Sequence, residues 1–158
     1  SLYSYFDSKN AIYDAMYAQG CRQFVDGQRR WNLTGEAHAD LTTIGRYFVE
    51  FCTADPVRYQ LLFQRTIPGF EPSPESFAIS VDSLAAIQVH LMSLGIDDQR
   101  DIDLFTAIGT GLTDQQISND PGGDRWVQLL DDAVEMYLDH VTKRSRSKEP
   151  IGRKGRRR

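Results

Sequence analysis

Residues 1–16 read SLYSYFDSKNAIYDAM. Tyr3, Tyr5 and Phe6 crowd the positions just ahead of a helix-start signal. Asp7 or Ser8 suits an N-cap, because a short side-chain oxygen can accept a hydrogen bond from a free backbone N–H of the first turn. From there Ile12, Ala15, Met16, Gly20 and Phe24 recur at helical spacing on one face. The pattern predicts a helix from about residue 8 to about Arg29, with Gly20 and Gly27 weakening its second half.

Working outward, the rest of the chain reads as helices parted by short breaks. A second helix starts near Glu36 and carries Leu41, Ile44, Phe48, Phe51 and Cys52. Asp55-Pro56 ends it and opens the next, since Pro fits the first helical turn. That third helix runs through VRYQLLFQRTI and stops at Pro68-Gly69. Ser73-Pro74 caps a fourth, with Phe77, Val81, Leu84, Gln88 and Leu91 on one side and Gly95 as a left-handed terminator. A fifth spans about Asp97 to Ser118. Its first turns hold Asp97, Asp98, Asp101 and Asp103, where the helix dipole favours negative charge. After the turn NDPGG a sixth runs from about Asp124 to Lys143. The expectation is an all-α fold of about six helices.

The 158 residues are 41% hydrophobic and 25% charged, an ordinary globular composition with room for a real core. No continuous apolar run is long enough to suggest a membrane span, and the first residues lack the pattern of a secretion signal. Cys21 and Cys52 lie far apart and outside any metal-binding spacing, which predicts reduced thiols in an intracellular, cytoplasmic protein. Charge is uneven: residues 143–158 carry nine Lys/Arg against Glu149 alone, while the other 142 carry nine against 21 acids. The body is therefore at −12 and the tail at +8. An acidic body is a poor surface for nucleic acid. Residues 144–158 are polar enough to predict a disordered tail. His38, His90 and His140 are scattered, and no nucleophile elbow, phosphate loop, dinucleotide fingerprint or zinc spacing occurs. The chain reads as non-enzymatic, with no cofactor and no metal site.

Leu2, Tyr3, Tyr5, Phe6, Ser8 and Lys9 stand in an order and spacing that resembles the junction in TetR-family transcriptional regulators, where the recognition helix hands over to the next helix. The sequence of later helices, with the last two long, is also similar to that family. The resemblance implies that residues 1–7 end a helix-turn-helix recognition helix and that residues 8–143 form an effector-binding and dimerisation domain. It assigns Tyr3, Tyr5 and Lys9 to the phosphate backbone of a palindromic operator. Chemically, the two tyrosines offer hydroxyls on rigid stems, and Lys9 would add a cation where first-turn N–H groups favour phosphate.

The resemblance further implies a pocket for a small, largely apolar effector. Tyr47, Phe51, Gln60, Phe63, Gln64, Phe77 and Gln88 are its candidate lining, as apolar walls with a few interleaved polar groups. The fifth helix is rich in Gly and Thr, which suits close approach of another helix. The sixth carries a broad apolar face. In the family such helices form a four-helix bundle between two subunits, so Phe105, Gly109, Leu112, Gln116, Trp126, Leu130, Val134 and Tyr137 are the expected homodimer interface. The same faces would also suit a helix pair buried within one subunit. A repressor role follows from family habit alone. The rival from another class is a helical ligand-binding or scaffold dimer that does not touch DNA, and it leaves the order of residues 2–9 unexplained.

Overall fold

The computed structural model describes residues 1–148. Among them the chain forms six α-helices: α1 (Leu2–Gln28), α2 (Ala37–Ala54), α3 (Pro56–Phe63), α4 (Pro74–Ser93), α5 (Gln99–Asn119) and α6 (Leu130–Lys148). A 3-10 turn, Val127–Leu129, leads into α6. No strand occurs among the described residues. The all-α expectation therefore holds.

Local chemistry sets most of the boundaries. Glu36 caps α2 by accepting from the N–H groups of His38 and Ala39. Asp55 caps α3 through Arg58 N–H, with Pro56 in the first turn. Ser73 caps α4 through Ser76 N–H, again followed by Pro. Asp98 caps α5 through Arg100 N–H. Gly95 takes φ = 82°, which costs glycine little, and Ile96 N–H then turns back onto the Leu91 carbonyl.

Four boundaries differ from the sequence expectation. The helix expected to start near residue 8 begins at Leu2 and runs unbroken through Asp7 and Ser8; its cap is Ser1, bonded to Ser4 N–H. No Gly or Pro occurs between Leu2 and Gln19, and extending a formed helix is far easier than starting a new one. α3 ends at Phe63, short of Pro68. α6 begins at Leu130, after the 3-10 turn, and continues through Lys148. Residues 144–148 of the expected disordered tail are thus helical, and the remainder of that tail lies outside the described residues. Arg144 explains the extension: its guanidinium reaches Asp98 at 2.8 Å and Asp101 at 3.1 Å, fastening the end of α6 to the start of α5.

The main core gathers Leu41 and Ile44 of α2, Leu91 and Ile96 at the end of α4, Phe105 of α5, and Leu130, Val134, Tyr137 and Val141 of α6. Gly45 allows a close α2–α6 crossing: a Cβ there would lie 2.9 Å from a Leu130 methyl, and the Leu130 side chain would have to shift. Tyr137 carries its hydroxyl into this core and donates to the Asp101 carbonyl at 2.8 Å. On the opposite side α1 packs against α3 and α4. Its buried residues are Tyr17, Ala18, Gly20, Cys21 and Phe24, while the anticipated Ile12 and Met16 are exposed. The buried stripe is turned by about one residue because Tyr17 and Asp14 bond to α4.

Candidate effector cavity

α4 is an unusual helix. It is long and apolar enough, by length and composition, to cross a membrane, yet only 17% of that stretch is buried. Expecting no such segment from the absence of a continuous apolar run missed it, because Ser, Asp, Gln and His interrupt the run without lowering its average much. Those interruptions have a use. Ser73, Ser76, Ser80 and Ser83 recur along the side facing α1. Asp14 accepts from Ser73 N–H (2.6 Å), Ser73 Oγ (3.0 Å) and Ser76 Oγ (2.8 Å). Tyr17 donates its hydroxyl to Ser80 Oγ at 3.1 Å. Gln28 exchanges two bonds with Ser83, donating to its carbonyl and accepting from its hydroxyl. An edge-to-face contact of Tyr13 with Phe70 closes the same side.

The far end of α4 is held differently. His90 Nε2 lies 2.8 Å from Asp40 Oδ2. Asp40 is fully buried and also accepts from Thr34 N–H, Thr34 Oγ1 and Gly35 N–H. Burial alone would push its carboxyl up. The Thr34 and Gly35 N–H groups, His90 and the Thr34 hydroxyl together outweigh that and hold it at about 2.

Between α4 and the α2–α5 side lies a cavity of about 940 Å³, within the upper range of drug-sized pockets, roughly 300–1,000 Å³. Tyr17, Cys21 and Phe24 of α1 form one wall. Ile44, Gly45 and Phe48 of α2, Phe105, Thr106 and Gly109 of α5, and Leu130 form the opposite one. Phe63, Ile67 and Phe70 lie towards the α3–α4 loop, and Phe77, Leu84, Ile87 and Leu91 come from α4. Burial raises the pKa of the Tyr17 hydroxyl and of the Cys21 thiol, so both are neutral in the wall at ordinary pH.

Of the seven candidate lining residues, Gln60, Phe63, Phe77 and Gln88 border this cavity; Tyr47, Phe51 and Gln64 do not. Tyr47 donates to the Phe24 carbonyl at 2.8 Å and fills the space above Gly27, where a Cβ would overlap it. Phe51 packs edge-on against Phe24, and the Arg58 guanidinium covers its ring at 3.7 Å. Gln64 turns outward and donates to Asp114, which also receives the Tyr59 hydroxyl at 2.7 Å. Sequence reasoning missed Tyr17, Cys21 and the α5 wall. The recurring serines of α4, opposite Asp14, Tyr17 and Gln28, were the signal that α1 and α4 pair.

The expected interface residues belong mostly to the interior of the subunit. Leu130, Val134, Tyr137, Phe105 and Gln116 are buried within it. Gln116 accepts from Trp126 N–H at 2.8 Å and Val127 N–H at 3.2 Å, and donates to the Asp120 carbonyl, so it organises the turn before α6. Gly109 meets Phe48 and borders the cavity, while Leu112 packs half-buried against the core. Trp126 is half-buried beside Arg125. An apolar helical face does not say whether its partner is the same chain or another, and here the same chain takes it.

Tyr3, Tyr5 and Lys9 all lie on the exposed N-terminal half of α1, with Leu2 and Phe6 also exposed. Lys9 is not in a first turn, since α1 starts seven residues earlier; the free N–H groups that would help it hold a phosphate are not there. Its ammonium instead sits 5.7 Å above the Tyr13 ring. Among the described residues no group of three His, Cys, Asp or Glu side chains is placed to hold a metal ion. Compared with known proteins, the chain matches no family model, no curated protein and no solved structure.

Proposed function

We propose that this chain is the effector-binding part of a TetR-like, cytoplasmic transcriptional regulator, a repressor by sign, whose cavity takes a small and largely apolar molecule. The observation that carries the reading is the α1–α4 seam. α4 walls the cavity, and Asp14, Tyr17 and Gln28 tie it to α1, which carries Tyr3, Tyr5 and Lys9 at its other end. A ligand that moves α4 would move α1 with it. In a two-fold dimer this changes the separation of two DNA-reading units, and a palindromic operator tolerates a narrow range of separations. Association would use the outer faces of α5 and α6. Leu104 of α5, Met136 of α6 and Leu129 of the 3-10 turn between them are exposed, and a Cβ added at Gly111 would meet nothing within 4 Å.

The test uses the protein from its full reading frame. Its operator is first selected from random duplex DNA, and cavity ligands are then titrated into the complex. Ligand binding is expected to release operator, and Asp14→Ala is expected to bind ligand normally while releasing operator less. Ligands that fill the cavity without changing operator affinity would sink the switch.

A second reading has one observation in its favour. α1 passes straight through Asp7–Lys9, with no break where a recognition helix would hand over to the next. A ligand-binding helical dimer that does not touch DNA would need no such break. Failure to select any duplex from the random pool would favour it.

A further inference from the structure

Resting on the cavity reading above, we infer that the ligand is an amphipathic monoanion, with an apolar body among the phenylalanines and a single carboxylate-class head at Arg65.

Along the α1, α4 and α5 walls the hydroxyl donors are already committed. Tyr17 gives its hydroxyl hydrogen to Ser80, Ser80 to the Phe77 carbonyl, Ser83 to Gln28, and Thr106 to the Ile102 carbonyl. A polar group buried in mid-cavity would find these donors committed and would lose its water without replacement. The ligand's polar part therefore belongs at an end.

The two ends differ. On the α4–α5 side Gln88 donates to Gln99 at 3.4 Å and Gln99 donates to Asp103 at 2.8 Å, so those side chains are linked into a chain that ends on a carboxylate. On the α3–α4 loop side, Arg65 borders the cavity and makes no ion pair or hydrogen bond with any described residue. It is the cation of the lining. Burial raises the Tyr17 hydroxyl; the Ser80 hydrogen bond opposes that rise and Arg65 adds a weaker opposing charge. Glu71 on the same loop and Asp103 of α5 are the acids of the lining. A guanidinium with its fork of donors free is matched by a carboxylate, which it can bind through two parallel bonds.

The experiment is calorimetric titration with three ten-carbon probes at pH 7.5: decanoate, 1-decanol and decylamine. No DNA is present, so the result is independent of the operator test. Wild-type protein is expected to bind decanoate about tenfold or more tighter than the other two, the scale of one charge-assisted hydrogen bond. Arg65→Gln, an exposed loop change checked by circular dichroism, is expected to remove that preference and leave 1-decanol within about twofold, since it deletes only the charge-assisted part of binding. Equal binding of the three probes, or decanoate affinity unchanged in Arg65→Gln, overturns the head-group assignment and leaves the cavity standing. Tightest binding of decylamine overturns it in favour of a cation at Glu71 or Asp103. Binding of none of the three overturns both the head group and the ligand-binding cavity.

Discussion

The α2–α5–α6 side of the subunit is closed mainly by aliphatic and aromatic side chains, whereas α1 and α4 meet through an aspartate, a tyrosine, a glutamine and four serines. Both interfaces hold helices together, but by different physics. Apolar contact is strong in sum and indifferent to small rotations, because it scales with area removed from water. Hydrogen bonds exchanged for bonds to water add little net stability, yet each fixes a distance and a direction. The first side thus gives the subunit its stability. The second adds less net stability and fixes where α4 sits relative to α1.

Breaking the apolar side should have the largest effect. Leu130 is 1% exposed and fills the crossing at Gly45. Leu130→Ala is expected to lower unfolding stability by about 2–5 kcal/mol, read from the urea midpoint, and to accelerate hydrogen exchange throughout the core. A loss under about 1 kcal/mol would mean that the neighbours collapse onto the gap or that this side is not the source of stability.

Asp40 is where the two sides join, and acid probes it. Its folded pKa, about 2, lies below the ordinary 3.8. A depressed carboxyl contributes stability that is complete above its unfolded pKa and is lost as pH falls through the folded one. The contribution is about 2 kcal/mol, and it should vanish between about pH 4 and pH 2. Asp40→Asn should flatten that limb of the stability curve. An acid limb of the same size in the variant would place its origin elsewhere.

The smallest effect is expected at the polar seam. Asp14→Ala removes three bonds to the start of α4. The net cost should be about 1 kcal/mol, while amide exchange speeds up in residues 73–80 and stays unchanged in α6. Uniform acceleration through both regions would erase the contrast between stability side and positioning side.

Much of the fold was legible because short-range chemistry decides it. Asp55-Pro56, Ser73-Pro74, Asp98 and Gly95 each satisfy or redirect backbone groups within a few residues, and each ends or starts a helix as read. The start of α1 was not legible. Asp7 and Ser8 are good caps, but a cap acts only where the chain leaves the helix, and nothing local forces it to leave. The site was half legible. Gln60, Phe63, Phe77 and Gln88 border the cavity, while Tyr47 bonds to the Phe24 carbonyl, Phe51 lies under Arg58 and Gln64 bonds to Asp114. Residue type and spacing are alike in the two groups, so only the neighbours distinguish them.

The sequence by itself determined that the chain is helical, where most helices begin and end, and that an aromatic-rich middle segment adjoins two long helices. Those properties follow from periodicity, capping and turn chemistry, all of which act over a few residues. Tertiary structure alone decided that Phe105 and Gly109 wall a cavity, that Leu130, Val134 and Tyr137 are interior, and that Arg144 fastens α6 to α5. Apolar surface carries no address, and a charge finds its partner across sequence distances that no local pattern encodes.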